Sequence, residues 1–245
     1  AAGPFARGCN ASKDKWCTKM EKPQKLIDLD GYAIDRFEIT VALYQLCVDA
    51  KVCKPPSGAK KYKHSNWAKA DRKQHPVNSV TWQQAAAFCA WAGRRLPTEA
   101  EWEKAARGGC ELYPKDSCLT ATPTWPWGDE LPDCSRAIHD ADKGNGCGGG
   151  TTKPVGSVPK GASPYGVEDM AGNASEWVAD RFGYLYYANG PAKNPKGPTV
   201  GNQRVRRGGA IDSGAKFIRA GFREGDNPIH DHELAVGFRC ARSLK

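Results

Sequence analysis

The sequence predicts an α+β fold: an irregular, loop-rich single domain stapled by disulfides. Three observations lead there. The 245 residues suffice to bury a core, yet they include ten cysteines, an even number, with no C-x-x-C pair and no zinc-finger spacing. Glycine and proline are abundant, at 27 and 17 residues, which marks many turns without reaching the level of a disordered chain. Helical and strand-like patterns both occur, but each is short, and long stretches between them have neither.

The elements follow in chain order. Residues 1–30 are polar and lysine-rich, with Cys9 and Cys17 anchoring a small loop, and read as an N-terminal extension to a domain spanning 31–242. From Tyr32 the run Tyr-Ala-Ile-Asp-Arg-Phe-Glu-Ile alternates apolar and polar residues, as a half-buried strand requires. Thr40 then caps a helix on which Leu43, Tyr44 and Cys47 share a face. Residues 54–75, rich in Lys, Pro and Ser, form a surface loop. Two helices open on capping boxes, Thr81-Trp-Gln-Gln84 and Thr98-Glu-Ala-Glu101. In each the Thr oxygen accepts the third residue's N–H and the Gln or Glu reaches back. Gly93 and Gly108 supply the stops. From Gly108 to Pro164 the chain is turn-rich and lacks helical periodicity. Strand-like runs return at Val205–Arg207, Phe217–Phe222 and Val236–Cys240. No internal repeat or linker divides the chain.

Composition narrows the function classes. The longest apolar run, Ala85–Ala92, is far short of the roughly 20 residues that cross a bilayer, so no membrane span is expected. The net charge of +9 suits acidic polymers and envelope polyanions as well as simple solubility. The basic residues are scattered, from Lys60, Lys61, Lys63 and Lys69 to Arg204, Arg206 and Arg207, and no nucleic-acid-binding signature accompanies them. Nucleic acid is therefore not an expected partner. Cysteine usage points to an oxidising compartment, so the expected location is secreted, periplasmic or cell surface. Any signal peptide is expected to lie outside the given sequence, and the N-terminal segment leaves room for a lipid or chain tether.

A series of motifs carries a specific resemblance. Pro76-Val-Asn-Ser-Val-Thr-Trp82 precedes Phe88-Cys-Ala-Trp-Ala-Gly-Arg-Arg-Leu-Pro-Thr-Glu-Ala-Glu-Trp-Glu-Lys-Ala-Ala-Arg107. Then come Trp125-Pro-Trp-Gly-Asp129, Pro154-Val-Gly-Ser157, Ser163-Pro-Tyr-Gly166 and Asp169-Met-Ala-Gly-Asn-Ala-Ser-Glu-Trp177. Arg206-Arg-Gly-Gly209 and Gly237-Phe-Arg-Cys240 complete the set. In this order they resemble the formylglycine-generating enzyme family, the sulfatase-modifying factors, over about residues 30–242. The resemblance implies an irregular mixed fold related to C-type lectins. It also implies a disulfide between Cys89 and Cys240. Cys9 with Cys17, Cys47 with Cys53, Cys110 with Cys118 and Cys134 with Cys147 are local pairings suggested by proximity in sequence.

Fold alone does not settle function on such a scaffold. Family oxidases follow their Gly-Gly strand with Ser-x-x-Cys-x4-Cys, a cysteine pair that binds copper and engages the substrate cysteine. Here Gly208-Gly209 runs into Ala210-Ile-Asp-Ser213-Gly-Ala-Lys-Phe-Ile218, and no cysteine occurs between Gly209 and Cys240. A hydroxyl at Ser213 is hard and stays protonated near neutral pH, so it cannot replace a thiolate on copper. No catalytic residue is assigned. Ser175 also replaces the aromatic of the family's site-lining segment.

The family's calcium motif, by contrast, is retained. By resemblance, structural calcium takes a side-chain oxygen from Asp169, carbonyls from Gly172 and Ala174, and the carboxylate of Glu176, the hard oxygens that this ion requires. Asp140-Ala-Asp142-Lys-Gly-Asn145 reads as a solvated turn. The expected function is an exported, calcium-stabilised binding or structural module for a protein, peptide or anionic glycan. Its groove is expected near Trp177, Arg207, Ala210, Asp212, Ser213 and Arg223. The alternative is a metal-dependent oxidase or protein-modifying enzyme on the same scaffold, with His230 and His232 as the first candidates for ligands.

Overall fold

The computed structural model describes residues 1–229 and 235–244. Its three main helices start where the sequence places them. Helix α1 (Val41–Asp49), α2 (Trp82–Trp91) and α3 (Glu99–Arg107) each open with a threonine hydroxyl accepting the third N–H, at 3.2 Å in all three. Helices α2 and α3 have the complete capping box. On α1, Tyr44 and Cys47 are buried as expected, whereas Leu43 turns outward and is exposed. Two single-turn helices follow, α4 (Cys118–Ala121) and α5 (Tyr186–Asn189). The first lies in the stretch that has no helical periodicity, because four residues are too few to show any.

Strands are brief and fall into three sheets. An N-terminal hairpin pairs β1 (Gly3–Arg7) with β2 (Lys25–Leu29) antiparallel. A second pair joins β3 (Tyr32–Ile34) antiparallel to β8 (Ala241–Ser243). The four-stranded sheet has the order β6 (Glu224–Asp226), β5 (Arg204–Arg207), β4 (Ser175–Arg181), β7 (Val236–Gly237), with only β4 and β7 parallel. The strand expected at Phe217–Phe222 is a run of turns. There Ala220 N–H donates to the Thr124 carbonyl, and Arg219 is drawn inward to Asp14 and Glu21, so tertiary pairing overrides local propensity.

Two main apolar clusters flank β4. One joins α1 and α2 through Tyr44, Phe88, Phe238 and Trp177; the other surrounds Trp102 of α3 with Ala105, Ala106, Val178 and Val205. All ten cysteines pair as five disulfides, Cys9–Cys17, Cys47–Cys53, Cys89–Cys240, Cys110–Cys118 and Cys134–Cys147. The Cys89–Cys240 bond spans 151 residues, and closing such a loop restricts the unfolded chain by about 5 kcal/mol.

The polar composition of α3 is misleading, because all nine of its residues are buried. Its charges must then be paired. Glu103 accepts from Gly8 N–H at 2.7 Å, Arg107 at 2.9 Å, Arg207 at 2.8 Å and the Tyr187 hydroxyl. Glu99 holds Arg223 through two bonds of 2.7 and 2.6 Å. The first thirty residues are built into this network: Gly8 meets Glu103, and Asp14 and Glu21 take Arg219. Truncating Glu103 to alanine leaves Arg107 and Arg207 buried without their carboxylate. The variant is expected to lose about 3–5 kcal/mol of stability in urea unfolding; a loss below about 1 kcal/mol would contradict this assignment.

Candidate functional site

The motif segment that leads into β4 makes a strained turn. Asp169, Gly172 and Asn173 all have positive φ, of 57°, 78° and 59°. A Cβ on Gly172 would lie 2.4 Å from the Ile138 carbonyl oxygen, so only glycine fits there. The turn is fixed by side chains around it. The Asp169 carboxylate accepts from Gly156 N–H at 2.7 Å, and Asn173 accepts from Lys153 N–H at 2.9 Å. Glu38, buried on the segment between β3 and α1, accepts from the Asn173 amide and from Ala174 N–H at 2.8 and 2.9 Å.

Of the predicted calcium donors, Glu176 is bonded to the buried Arg239, and Asp169 lies within its electrostatic influence. Glu176 takes a bidentate pair from Arg239 and a bond from the Trp102 indole at 2.8 Å. Arg239 spends its remaining donors on the carbonyls of Asp35, Arg36 and Glu168. Glu38, Asp169 and Glu176 are three buried carboxylates sharing this cation. Burial, together with Glu168 and Glu176, pushes Asp169 up to about 6. Burial and the charges of Asp169 and Glu176 push Glu38 well above the carboxylate range. The carboxylate of Asp169 has the hard-oxygen chemistry that suits a cation such as calcium, and a cation there would offset the negative charge of this cluster. Glu176 fits less directly, since both of its oxygens are already engaged by Arg239 and Trp102.

The residues expected to line a groove do not come together on a surface. Trp177 is fully buried and donates its indole N–H to the Val80 carbonyl at 3.0 Å. Arg207 and Arg223 are buried against Glu103 and Glu99, so neither presents a cation to a ligand. All three side chains are engaged by partners distant along the chain. Ala210, Asp212 and Ser213 do share one turn. Ala210 is buried, Asp212 and Ser213 are half-buried, and Ala210 N–H donates to the Ser213 hydroxyl at 3.0 Å. That turn is tied to the 134–147 loop through Asp140 N–H to the Ser213 carbonyl, 3.1 Å, and Gly146 N–H to the Ile211 carbonyl, 2.7 Å. Asp140, Asp142 and Asn145 are exposed, as a solvated turn requires. Ser175 is buried and its hydroxyl has no hydrogen-bond partner among the described residues. His230 and His232 lie outside the described residues. Glu38 and Arg239 went unsingled in the sequence, although Arg239 stands inside the Gly-Phe-Arg-Cys motif.

A cavity of about 380 Å³ opens on the other side of α3, lined in part by Arg95, Glu101, Asp180, Asn194 and Lys196. Asp180 of β4 accepts from Glu99 N–H at 2.8 Å, the first free donor of α3. Burial, then the neighbouring Glu99 charge, pushes the Asp180 carboxyl up to about 8, with Glu101 adding to the rise and Arg223 opposing it.

Comparison with known proteins places the chain. The model of the sulfatase-modifying factor enzyme 1-like domain matches residues 1–244, including the N-terminal hairpin. The chain belongs to this family. It is 38% identical to the formylglycine-generating enzyme of Streptomyces coelicolor over 185 residues, 69% of this chain and 53% of that one. It is also 38% identical over 174 residues to the serine/threonine-protein kinase pkn1 of Chlamydia caviae, covering 70% of this chain and 25% of that one. It therefore spans between a quarter and about half the length of these two relatives. Among solved structures, PvdO from Pseudomonas aeruginosa has the same fold, with a TM-score of 0.75 at 24% identity over 99% of this chain and 92% of that one.

Asp180 sets a pH dependence of stability. Its folded-state pKa lies above the unfolded value, so its contribution is full below about pH 4 and is lost as pH rises towards 8. Asp180→Asn keeps the acceptor for Glu99 N–H and should flatten the fall in Tm between about pH 4 and 8; an unchanged profile would contradict this assignment.

Proposed function

We propose that this chain is an exported, calcium-stabilised binding module that keeps the formylglycine-generating scaffold without its copper–thiolate chemistry. One observation carries this reading. No cysteine lies between Gly209 and Cys240, and all ten cysteines are in disulfides, so no thiolate pair stands where the family oxidases bind copper. Ser213 offers only a hydroxyl there, already accepting from Ala210 N–H.

Export is supported by the five disulfides, which reducing compartments do not maintain. Among the described residues no helix is long and apolar enough to cross a membrane. Calcium is held at Asp169 with the carbonyls of Gly172 and Ala174, where it offsets the carboxylates that Arg239 alone does not balance. The ligand is a protein, peptide or anionic glycan, met at the turn carrying Asp212 and Ser213 and favoured by the net charge of +9. The match to the kinase-named relative covers a quarter of that protein, which supports use as a module.

Elemental analysis of protein purified without chelator tests the reading. Calcium is expected at about one or two equivalents per chain, without copper or iron, and its removal should lower Tm. Binding to glycan or peptide arrays should weaken on Ser213→Trp. Stoichiometric copper together with conversion of a cysteine peptide to an aldehyde would overturn it.

A further inference from the structure

The five disulfides are not equivalent. In four of them at least one cysteine is buried, and in Cys89–Cys240 both are fully so. In Cys134–Cys147 neither is buried. That bond closes a short loop of 13 residues, within which lies a histidine. A ring nitrogen of His139 and the two sulfurs all lie within 4.8 Å of one another. His139 is 3% exposed, and its Nδ1 has no hydrogen-bond partner among the described residues. A buried imidazole nitrogen without a partner is costly and calls for a ligand.

Its position is fixed by backbone, since the His139 carbonyl accepts from Cys147 N–H at 2.9 Å. This contact ties the histidine backbone to Cys147 independently of the S–S bond. A comparable group, Cys9 with Asp14 and Glu21, lacks this freedom because both acids are consumed by Arg219.

We propose that Cys134, His139 and Cys147 form a redox-gated site for a thiophilic ion of the zinc(II) type. In the oxidised protein the bond between the sulfurs blocks the site. An external dithiol attacks that bond, gives up two electrons and two protons, and leaves as its own disulfide; Cys134 and Cys147 become thiols. The ion then displaces both thiol protons to solvent and is held by two thiolates and the imidazole, with a fourth position open. Donor atoms around one zinc ion sit roughly 3.5–4 Å apart, so the two sulfurs must part after reduction, while the His139 nitrogen already lies within 4.8 Å of both. The loop that carries the site is hydrogen-bonded to the turn of Asp212 and Ser213 at Asp140 and Gly146. Its loading is thereby coupled to that turn.

The test uses the full chain. Oxidised protein is treated with a dithiol without denaturant, the dithiol is removed under anaerobic conditions, and zinc chloride is added and the excess washed away. Alkylation and mass mapping should find opening confined to Cys134 and Cys147, with about one zinc retained per chain. His139→Ala should open as readily yet bind zinc more than about 100-fold more weakly, beyond the loss of an outer-shell partner. The double variant Cys134→Ser, Cys147→Ser, checked for a cooperative thermal transition, should retain none. Three results would each overturn the proposal. The disulfide resists reduction until the protein unfolds, the reduced wild type takes up no zinc, or His139→Ala binds it equally well.

Discussion

Glu103 is the point on which this fold turns. A loop-rich chain with five disulfides has too little regular structure to bury α3 by apolar contact alone, and α3 carries Glu99, Glu103, Lys104 and Arg107 into the interior. Such charges are tolerated only when each finds a counter-charge and further hydrogen bonds. Glu103 satisfies that condition by joining four parts of the chain: the hairpin at Gly8, its own helix at Arg107, β5 at Arg207 and α5 at Tyr187. Glu99 with Arg223 and Arg219 with Asp14 and Glu21 extend the same lattice. The two arginines that a surface reading would offer to an anionic ligand are thereby spent on architecture.

The motif around β4 obeys the same rule with a different balance. Arg239 answers Glu176 fully, but Glu38 and Asp169 lie close by and their carboxyls are raised by burial and mutual repulsion. The N-terminal lattice is closed by several arginines, whereas Glu38, Asp169 and Glu176 share the influence of Arg239. What distinguishes the chain from the oxidases it resembles is a matter of ligand softness. On the proposed reading the hard-oxygen motif is retained, while Ser213, whose hydroxyl accepts from Ala210 N–H, stands where the resemblance places a thiolate.

Local signals in the sequence were reliable guides. The capping boxes at Thr81 and Thr98 depend on residues three apart, so the helices begin where the letters place them. The ten cysteines paired as adjacency and family resemblance suggested. Features set by distant partners were not legible. Phe217–Phe222 reads as a strand until Arg219 is pulled inward, and Arg207 and Arg223 read as surface cations until α3 is seen to be buried. A signal for the latter existed: Glu99 and Glu103 stand one turn apart on a helix stretch crowded with Ala100, Trp102, Ala105 and Ala106. Ile27 and Leu29, read within an N-terminal extension, are buried in β2.

The account rests most directly on the state of the thiols. Unreduced protein should be unfolded in denaturant, treated with an alkylating reagent and weighed intact. No added mass is expected, because all ten sulfurs are in disulfides. Two alkylated cysteines in the bulk of the sample would contradict it, since a thiol pair free to bind copper would then exist in the native chain.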